Sequence, residues 1–586
     1  MIPASQIKRH FNGLLHHNIN DEQGFSALIV VNTPALDDSG VSHAVEHLVF
    51  RRSAAFNLPE SLFQLTSLTD LSINASTHSN ITYYHCHSQN RHTCLLGLNY
   101  LLNGLLAPEF VKQDLAHEIY HDDCYGVINR ELSPQQLDQQ AVIARSDTSA
   151  QRCYQYGGDI ELITQLTLSD ITRYHAQYYQ APKMHLLTGN IEPSLIASVL
   201  ESINNKAKEE PSYCPKALPK SCFLNNKHNE NNHIGHSNFE AKKQLVRWYI
   251  AEEFYTFFSK NFKRLSHLIA SLEAKLISPQ YNLNINQQFT LDIIAPITCS
   301  ETTLSEVLSN FILSQHEDKR SEPNRQAHKF SPEIFRLFNY YQTFTEELTP
   351  DLSSNVTKQL ARKLKKQSTF TLGSGTVYPL QKKPRAKRLQ KTTPKRLLPV
   401  KNILLKQLSQ HVSGEMTQQS EYKHRPLPAI FSPLFVQAQQ QLIQKQAQKQ
   451  RQKNRVELFD EEHSLTLINI EEEEQNVAIL TSFIVNAYPS FLASRTQGHC
   501  YAIVCQFVIE SPQLAFYSAY DVAPYLRFTA IRESLKILCK DLTFINATLP
   551  LAKSKLKGVG IIDIATGSVA EFISQKLINN DDSFAA

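Results

Sequence analysis

The run Gly40-Val41-Ser42-His43-Ala44-Val45-Glu46-His47-Leu48-Val49-Phe50 holds two histidines four positions apart with a glutamate directly before the second. On a helix, residues at i and i+4 share one face, so both imidazoles point the same way, one turn apart. Two neutral ring nitrogens so placed can reach one Zn²⁺, and Glu46 stands beside them as a carboxylate not needed for binding the ion. Val45, Leu48, Val49 and Phe50 give the same helix an apolar surface that belongs in a core. A pair of histidines on a core helix is also an ordinary structural feature, so the flanking sequence has to separate the two readings.

Upstream, residues 22–34 contain Ala27-Leu28-Ile29-Val30-Val31, a buried-strand pattern, followed by a Pro/Asp/Gly-rich loop. Asp37, Asp38 and Ser39 precede the helix, where carboxylates and a hydroxyl suit the positive end of the dipole. Downstream, 59–65 reads as a short helix, 71–77 as a strand and 81–87 as its hairpin partner. Helices are expected over 90–105 and 111–122. A zinc site with two histidines wants a third protein ligand and an open position for water. Glu118, on the second of these helices, is the candidate third ligand, although an exposed helical glutamate is the commoner reading of such a residue.

His-x-x-Glu-His is the inverzincin order, and the residues around it resemble the pitrilysin superfamily of zinc metallopeptidases, which includes insulin-degrading enzyme and presequence protease. Asn74-Ala75-Ser76-Thr77 is similar to that family's substrate-edge strand, and Glu118-Ile119-Tyr120-His121 to the segment with its third zinc ligand. Gly126-Val127-Ile128-Asn129-Arg130-Glu131-Leu132 resembles the Gly-Val-Val-Phe-Asn-Glu-Met stretch of the presequence-protease branch. Tyr156-Gly157-Gly158-Asp159, Leu166-Thr167 and Tyr174-His175-Ala176-Gln177-Tyr178-Tyr179 follow in family order, then a strand and Gly189-Asn190. Many members carry a further glutamate seven residues before the third ligand; counted from Glu118, that position is Val111. Far along the chain, Ser494-Arg495-Thr496-Gln497-Gly498-His499-Cys500-Tyr501 resembles the C-terminal Arg/Tyr signature, with His499-Cys500-Tyr501-Ala502 where the family has Gly-Ala-Tyr-Gly.

The chain has 586 residues, 42% hydrophobic and 19% charged, with a formal net charge of +4. That is ordinary globular composition, and at roughly 150 residues per domain it predicts several domains. The expected organisation is a catalytic domain over 1–205, a linker over 206–240, a second, non-catalytic domain over 241–345, a basic and then Gln/Lys-rich stretch over 346–454, and a C-terminal domain over 455–586. Helices are expected near 254–276 and 302–313, and strands at 289–295 and 465–470, with Glu471-Glu472-Glu473-Glu474 opening a helix. His228, His233 and His236 read as a solvated loop, and Trp248 as core. From Leu352 to Gly414 there is no acidic residue, yet few aromatics for base stacking, so a solvated linker is preferred over a nucleic-acid surface. No secretory signal, no membrane-length apolar run and ten scattered cysteines point to reduced thiols and the cytoplasm.

The resemblance implies an α+β fold of repeated domains, each a mixed or antiparallel sheet covered by helices, with two halves forming a clamshell chamber. It implies Zn²⁺ on His43, His47 and Glu118, Glu46 as general base, Arg495 and Tyr501 as catalytic and substrate-binding groups from the far half, and Asn74 on the edge strand that holds an extended peptide. Being shorter than the four-domain members, the chain is expected to close more loosely or to use a second copy or another chain to complete the chamber. Peptide substrates follow; the alternatives are a maturation protease for a small precursor and a non-catalytic partner subunit.

Overall fold

The structure, a computed structural model, describes residues 5–20, 24–78, 80–121, 124–136, 157–203, 243–250, 278–283, 289–296, 331–346, 376–379, 404–405, 408, 427–447, 455–555 and 563–578. It is an α+β protein of mixed and antiparallel sheets covered by helices.

The first sheet opens with β1 (Ser5–Arg9), β2 (Leu15–Ile19) and β3 (Phe25–Asn32). The motif helix α1 (Val41–Val49) follows, then α2 (Ser61–Leu68), the hairpin β4 (Ser72–Thr77) and β5 (Ile81–Ser88), and α3 (Arg91–Leu106). Helix α4 (Lys112–Ile119) ends earlier than its expected 122. The reason is a two-residue ladder, β6 (Tyr120–His121) against β7 (Cys124–Tyr125), whose close at Gly126 donates to Ile119 O at 3.1 Å. This turn sends the chain back as α5 (Val127–Gln136), packed on α4. The unit finishes with α6 (Ile160–Ile163), α7 (Leu168–Tyr178, with a Thr167/Asp170 capping box), β8 (Met184–Gly189) and α8 (Pro193–Ser202).

Strand order is β1-β2-β8-β3-β5-β4, with β2 and β8 parallel and the other pairs antiparallel. β4 is therefore an edge strand. The apolar run in β3 is continuous because both of its faces are covered. Ala27, Ile29 and Val31 join the core containing α1 and α3, while Leu28 and Val30 face a second cluster with Ile334, Leu337 and Phe338. A fully buried Leu or Ile contributes about 1.5–3 kcal/mol, so this central strand fixes the sheet to which the motif helix is attached.

A second sheet has the order β10-β11-β9-β12, from β9 (Lys243–Ile250), β10 (Ser278–Leu283), β11 (Phe289–Pro296) and β12 (Thr376–Pro379). The helix α9 (Pro332–Glu346) lies against the outer face of the first sheet. The stretch read as a basic linker thus supplies β12, and its Leu404, Leu405 and Leu408 are buried in the first core. The 206–240 linker with His228, His233 and His236, the helices expected near 254–276 and 302–313, and the Trp248 side chain lie outside the described residues.

The last unit contains α10 (Ser432–Ala447), β13 (Arg455–Phe459), β14 (Ser464–Asn469), α11 (Gln475–Ala487), α12 (Pro489–Thr496), β15 (Ala502–Val508), β16 (Gln513–Ala519), α13 (Pro524–Leu538), α14 (Leu542–Ser554) and α15 (Thr566–Phe572). Its sheet runs β13-β14-β16-β15. The four glutamates do open a helix: Glu471 and Glu474 form a capping box on a 3₁₀ turn that leads into α11. This unit docks on the first through α11 against α2. Gln64 Nε2 donates to Ala487 O at 3.2 Å, and Lys555 Nζ donates to Thr66 O and Ser67 O at 3.0 and 2.9 Å. Among the described residues, no single helix is long and apolar enough to cross a membrane.

Candidate metal centre

Helix α1 is capped by Gly40 in the left-handed region (φ 67°), with no side-chain cap from the preceding acids. A β-carbon at Gly40 would lie 2.6 Å from Gly158 Cα, so the backbone of 157–158 passes in direct contact with the helix start. Asp37 instead accepts from Ser39 N–H at 2.9 Å, and Asp159 N–H donates to Asp38 O at 2.7 Å, tying the two loops together. The close approach places Gly157 O 3.1 Å from His43 Nδ1. A carbonyl only accepts, so Nδ1 carries the hydrogen and the Nε2 lone pair is free. His47 is oriented in the same way: its Nδ1 donates to Glu118 Oε2 at 2.9 Å. The two rings lie 4.8 Å apart, nearly perpendicular.

Both Nε2 atoms face Glu131, on α5. Its Oε2 is 3.3 Å from His47 Nε2 and 3.7 Å from His43 Nε2. His43, His47 and Glu131 offer ligand atoms all within 4.8 Å of one another, and they form the only such group among the described residues. Glu131 Oε2 is buried and its ion-pair partners are these two Nε2 atoms, an arrangement that suits an acceptor aimed at a shared cation. The donor set of two imidazoles and one carboxylate, each imidazole fixed through its other nitrogen, fits zinc.

Glu118, expected as the third ligand, stands elsewhere. It is bonded to Nδ1, on the side of the His47 ring away from Nε2, so it cannot share an ion with the two Nε2 atoms. Its Oε1 is 3.3 Å from Arg51 Nη1 and 3.4 Å from Arg495 Nη1. The correction has a local cause in the β6–β7 turn, which carries Glu131 back over α1 and leaves Glu118 beneath His47. A signal for Glu131 was present, since it occupies the glutamate place in the Gly126–Leu132 resemblance. Val111, half-exposed just before α4, faces solvent, and Glu118 itself provides the second carboxylate near the histidines.

The charges are coupled accordingly. Burial opposes protonation of His47, yet its bonds to Glu118 and Glu131 outweigh this and raise it to about 10. Burial would likewise raise Glu118, but Arg495, His47 and Arg51 hold it well below the usual carboxylate range. Glu131 is held at about 2, with burial overcome by the hydrogen bond to His47 and the charge of His43. Two ionised carboxylates thus surround one imidazolium, a balance in which a divalent cation can replace the proton.

Glu46 lines a cleft together with Phe50, Leu62, Phe63 and Ile73, and the cleft also gathers Asn74, Glu131, Arg495 and Tyr501. Glu46 Oε2 accepts from the Thr77 hydroxyl. Asn74 is exposed on the edge strand, its Oδ1 accepting from Ala75 N–H at 2.9 Å. Arg495, at the end of α12, places its guanidinium 5.9 Å from the Tyr501 ring centre and 6.0 Å from that of Phe63. Burial, and then the charge of Glu131, push the Tyr501 phenol up, so it keeps its proton. Every predicted site residue therefore borders this cleft or the metal group behind it.

No protein-family model matches the chain. An uncharacterized protein of Saccharomyces cerevisiae is 26% identical over 228 residues, covering 36% of this chain and 22% of that protein. The chain spans about a fifth of the length of the curated relatives it matches. Among solved structures, similarity is found to a peptidase M16 inactive domain from Pseudomonas fluorescens (TM-score 0.43, 12% identity, 64% of this chain and 97% of that one). It is also found to pitrilysin (TM-score 0.40, 13% identity, 98% of this chain and 68% of that one).

Proposed function

We propose that this chain is a zinc metallopeptidase of the pitrilysin superfamily, similar in motif to the presequence-protease branch, that hydrolyses short or unfolded peptides in the cytoplasm. The observation that carries the proposal is the convergence of His43 Nε2, His47 Nε2 and the buried Glu131 Oε2 beside Glu46 in a cleft.

In this reading His43, His47 and Glu131 hold Zn²⁺, and Glu118 with Gly157 O orients the two imidazoles. When bound, the ion lowers the pKa of a water and polarises the scissile carbonyl. Glu46 takes the proton of the attacking water and returns it to the leaving nitrogen. Tyr501, protonated and on the opposite wall, donates to the developing oxyanion, and Arg495 adds its charge there. The unpaired edge of β4, with Asn74, accepts an extended peptide as an added strand. Folded proteins present no such strand, which restricts substrates to flexible peptides, including a small precursor peptide.

The test is zinc analysis combined with a fluorogenic peptide assay on the wild type and Glu46→Gln. One zinc per chain with chelator-sensitive cleavage, lost in Glu46→Gln, supports the proposal. Full zinc occupancy with no cleavage by the wild type would instead favour the non-catalytic partner role.

A further inference from the structure

Behind Glu46 lies a row of buried hydroxyls that the proposed reaction does not use directly. Thr77 Oγ1 donates to Glu46 Oε2 and lies 3.2 Å from Thr82 Oγ1, which is 2.7 Å from Thr33 Oγ1. Thr33 and Thr82 are fully buried. Each threonine has a single hydroxyl hydrogen. Thr77 gives its hydrogen to Glu46 Oε2, so toward Thr82 it can only accept, and Thr82 in turn has both Thr33 and the Tyr179 phenol as neighbours. Glu46 Oε1 has no hydrogen-bond partner among the described residues and belongs to the cleft lining.

We infer that Thr77 is a positioning residue that pins Glu46 Oε2 as a permanent acceptor, so that Oε1 alone carries the proton moved during peptide hydrolysis. The inference rests on the peptidase reading for its catalytic consequence. Placing the proton on Oε2 would force Thr77 to turn its hydrogen away from Glu46, whereas placing it on Oε1 leaves that bond intact. In the balanced step, one water O–H bond breaks and an O–H bond forms at Oε1 while the water oxygen bonds to the carbonyl carbon. The same proton passes to the amide nitrogen as the C–N bond breaks, leaving an amine and a carboxylic acid, which ionises by giving its remaining water-derived proton to the amine or to solvent.

Thr77→Val keeps the side-chain shape and removes the donor. We expect kcat to fall about tenfold to a hundredfold with KM and zinc content unchanged, and Thr77→Ser to restore most of it; Thr33→Val, two bonds further back, produces a smaller loss in the same direction. A second measurement needs no turnover: thermal unfolding of metal-free Thr77→Val, Glu46→Ala and the double variant. The pin requires the Thr77→Val loss in Tm to shrink when Glu46 is already alanine. An unchanged kcat in a chain that does cleave, failure of serine to rescue, or additive Tm changes each overturn the inference. A wild type that cleaves nothing counts against the peptidase reading, and the Tm cycle then decides the Thr77–Glu46 link on its own.

Discussion

The two walls of the cleft are built on different principles. The metal wall is one core: α1, α4 and α5 come from a single unit, and each histidine is fixed by a bond to its second nitrogen. The opposite wall, Arg495 and Tyr501, sits on a unit more than 300 positions later, docked by α11 on α2 and tied near the cleft by side chains reaching backbone carbonyls. Arg51 Nη2 donates to Thr496 O at 2.5 Å and Arg130 Nη1 donates to Tyr520 O at 3.4 Å. Arg51 follows the motif helix and Arg130 precedes Glu131, so the metal wall grips its partner from residues adjacent to its own functional groups. Within the far wall, Arg527 is locked to Asp521 at 2.6 Å and donates to Ser494 Oγ, directly before Arg495. The metal wall is accordingly set by side-chain chemistry, and the far wall by one internal ion pair plus docking.

Removing a ligand should separate the walls most sharply. Glu131→Gln is expected to abolish stoichiometric zinc binding and cleavage, whereas Glu118→Gln retains zinc with affinity about 10–100-fold weaker, as for a group that orients a ligand; metal titration by competition with a chelator distinguishes them. Equal loss in both variants would erase the distinction between ligand and support. Next, Glu46→Gln should lower kcat about 10²–10⁴-fold while zinc stays bound, read by peptide assay and metal analysis together.

On the far wall, Asp521→Asn leaves Arg527 buried without its counter-charge and should cost about 3–5 kcal/mol of stability, measured by denaturant unfolding. Acid should affect the walls at different pH. Burial lowers His85 and His175, in the first unit, to about 4. The unfolded chain protonates them below about 6.5 while the folded one does not, so stability falls by about 1.4 kcal/mol per pH unit per histidine as pH drops from 6.5 to 4. Asp521 is shifted the other way: burial would raise it, but Arg527 holds it below its ordinary value. Its contribution persists through that window and is lost only as pH falls through its depressed folded value. Hydrogen exchange at pH 7 and 4.5 should therefore show β5 and α7 losing protection before α12 and α13. The smallest effect is expected for Tyr501→Phe, about a tenfold loss in kcat with zinc unchanged.

Much of the first unit was legible because its signals are local. The strand at 25–32, the hairpin 72–88 and helices 41–49 and 91–106 follow from runs and periods within a few residues of the observed bounds. The shared face of His43 and His47 was legible for the same reason, since an i, i+4 pair needs nothing but a helix. That Glu131 rather than Glu118 groups with the two Nε2 atoms was not legible, because it depends on where the β6–β7 ladder sends the chain, and the two glutamates are equally acceptable by residue type. Asp37, Asp38 and Ser39 do precede the helix, with Ser39 Oγ accepting from Val41 N–H at 3.3 Å, but the left-handed Gly40 between them and the helix answers to the contact with Gly157 and Gly158, which no local pattern shows. Thr77 was visible only as part of an edge strand; its link to Glu46 pairs residues 31 positions apart, which no periodicity encodes.

The touching backbones at Gly40 and Gly158 also bear on how loss-of-metal variants are to be interpreted. An alanine at either position contributes no charge and removes no ligand, yet it must push the 157–158 loop outward and take Gly157 O away from His43. Such a chain would score as metal-deficient while every coordinating residue is intact. A mutational survey scored only by zinc content would then draw the boundary of the metal site through two glycines that never meet the ion.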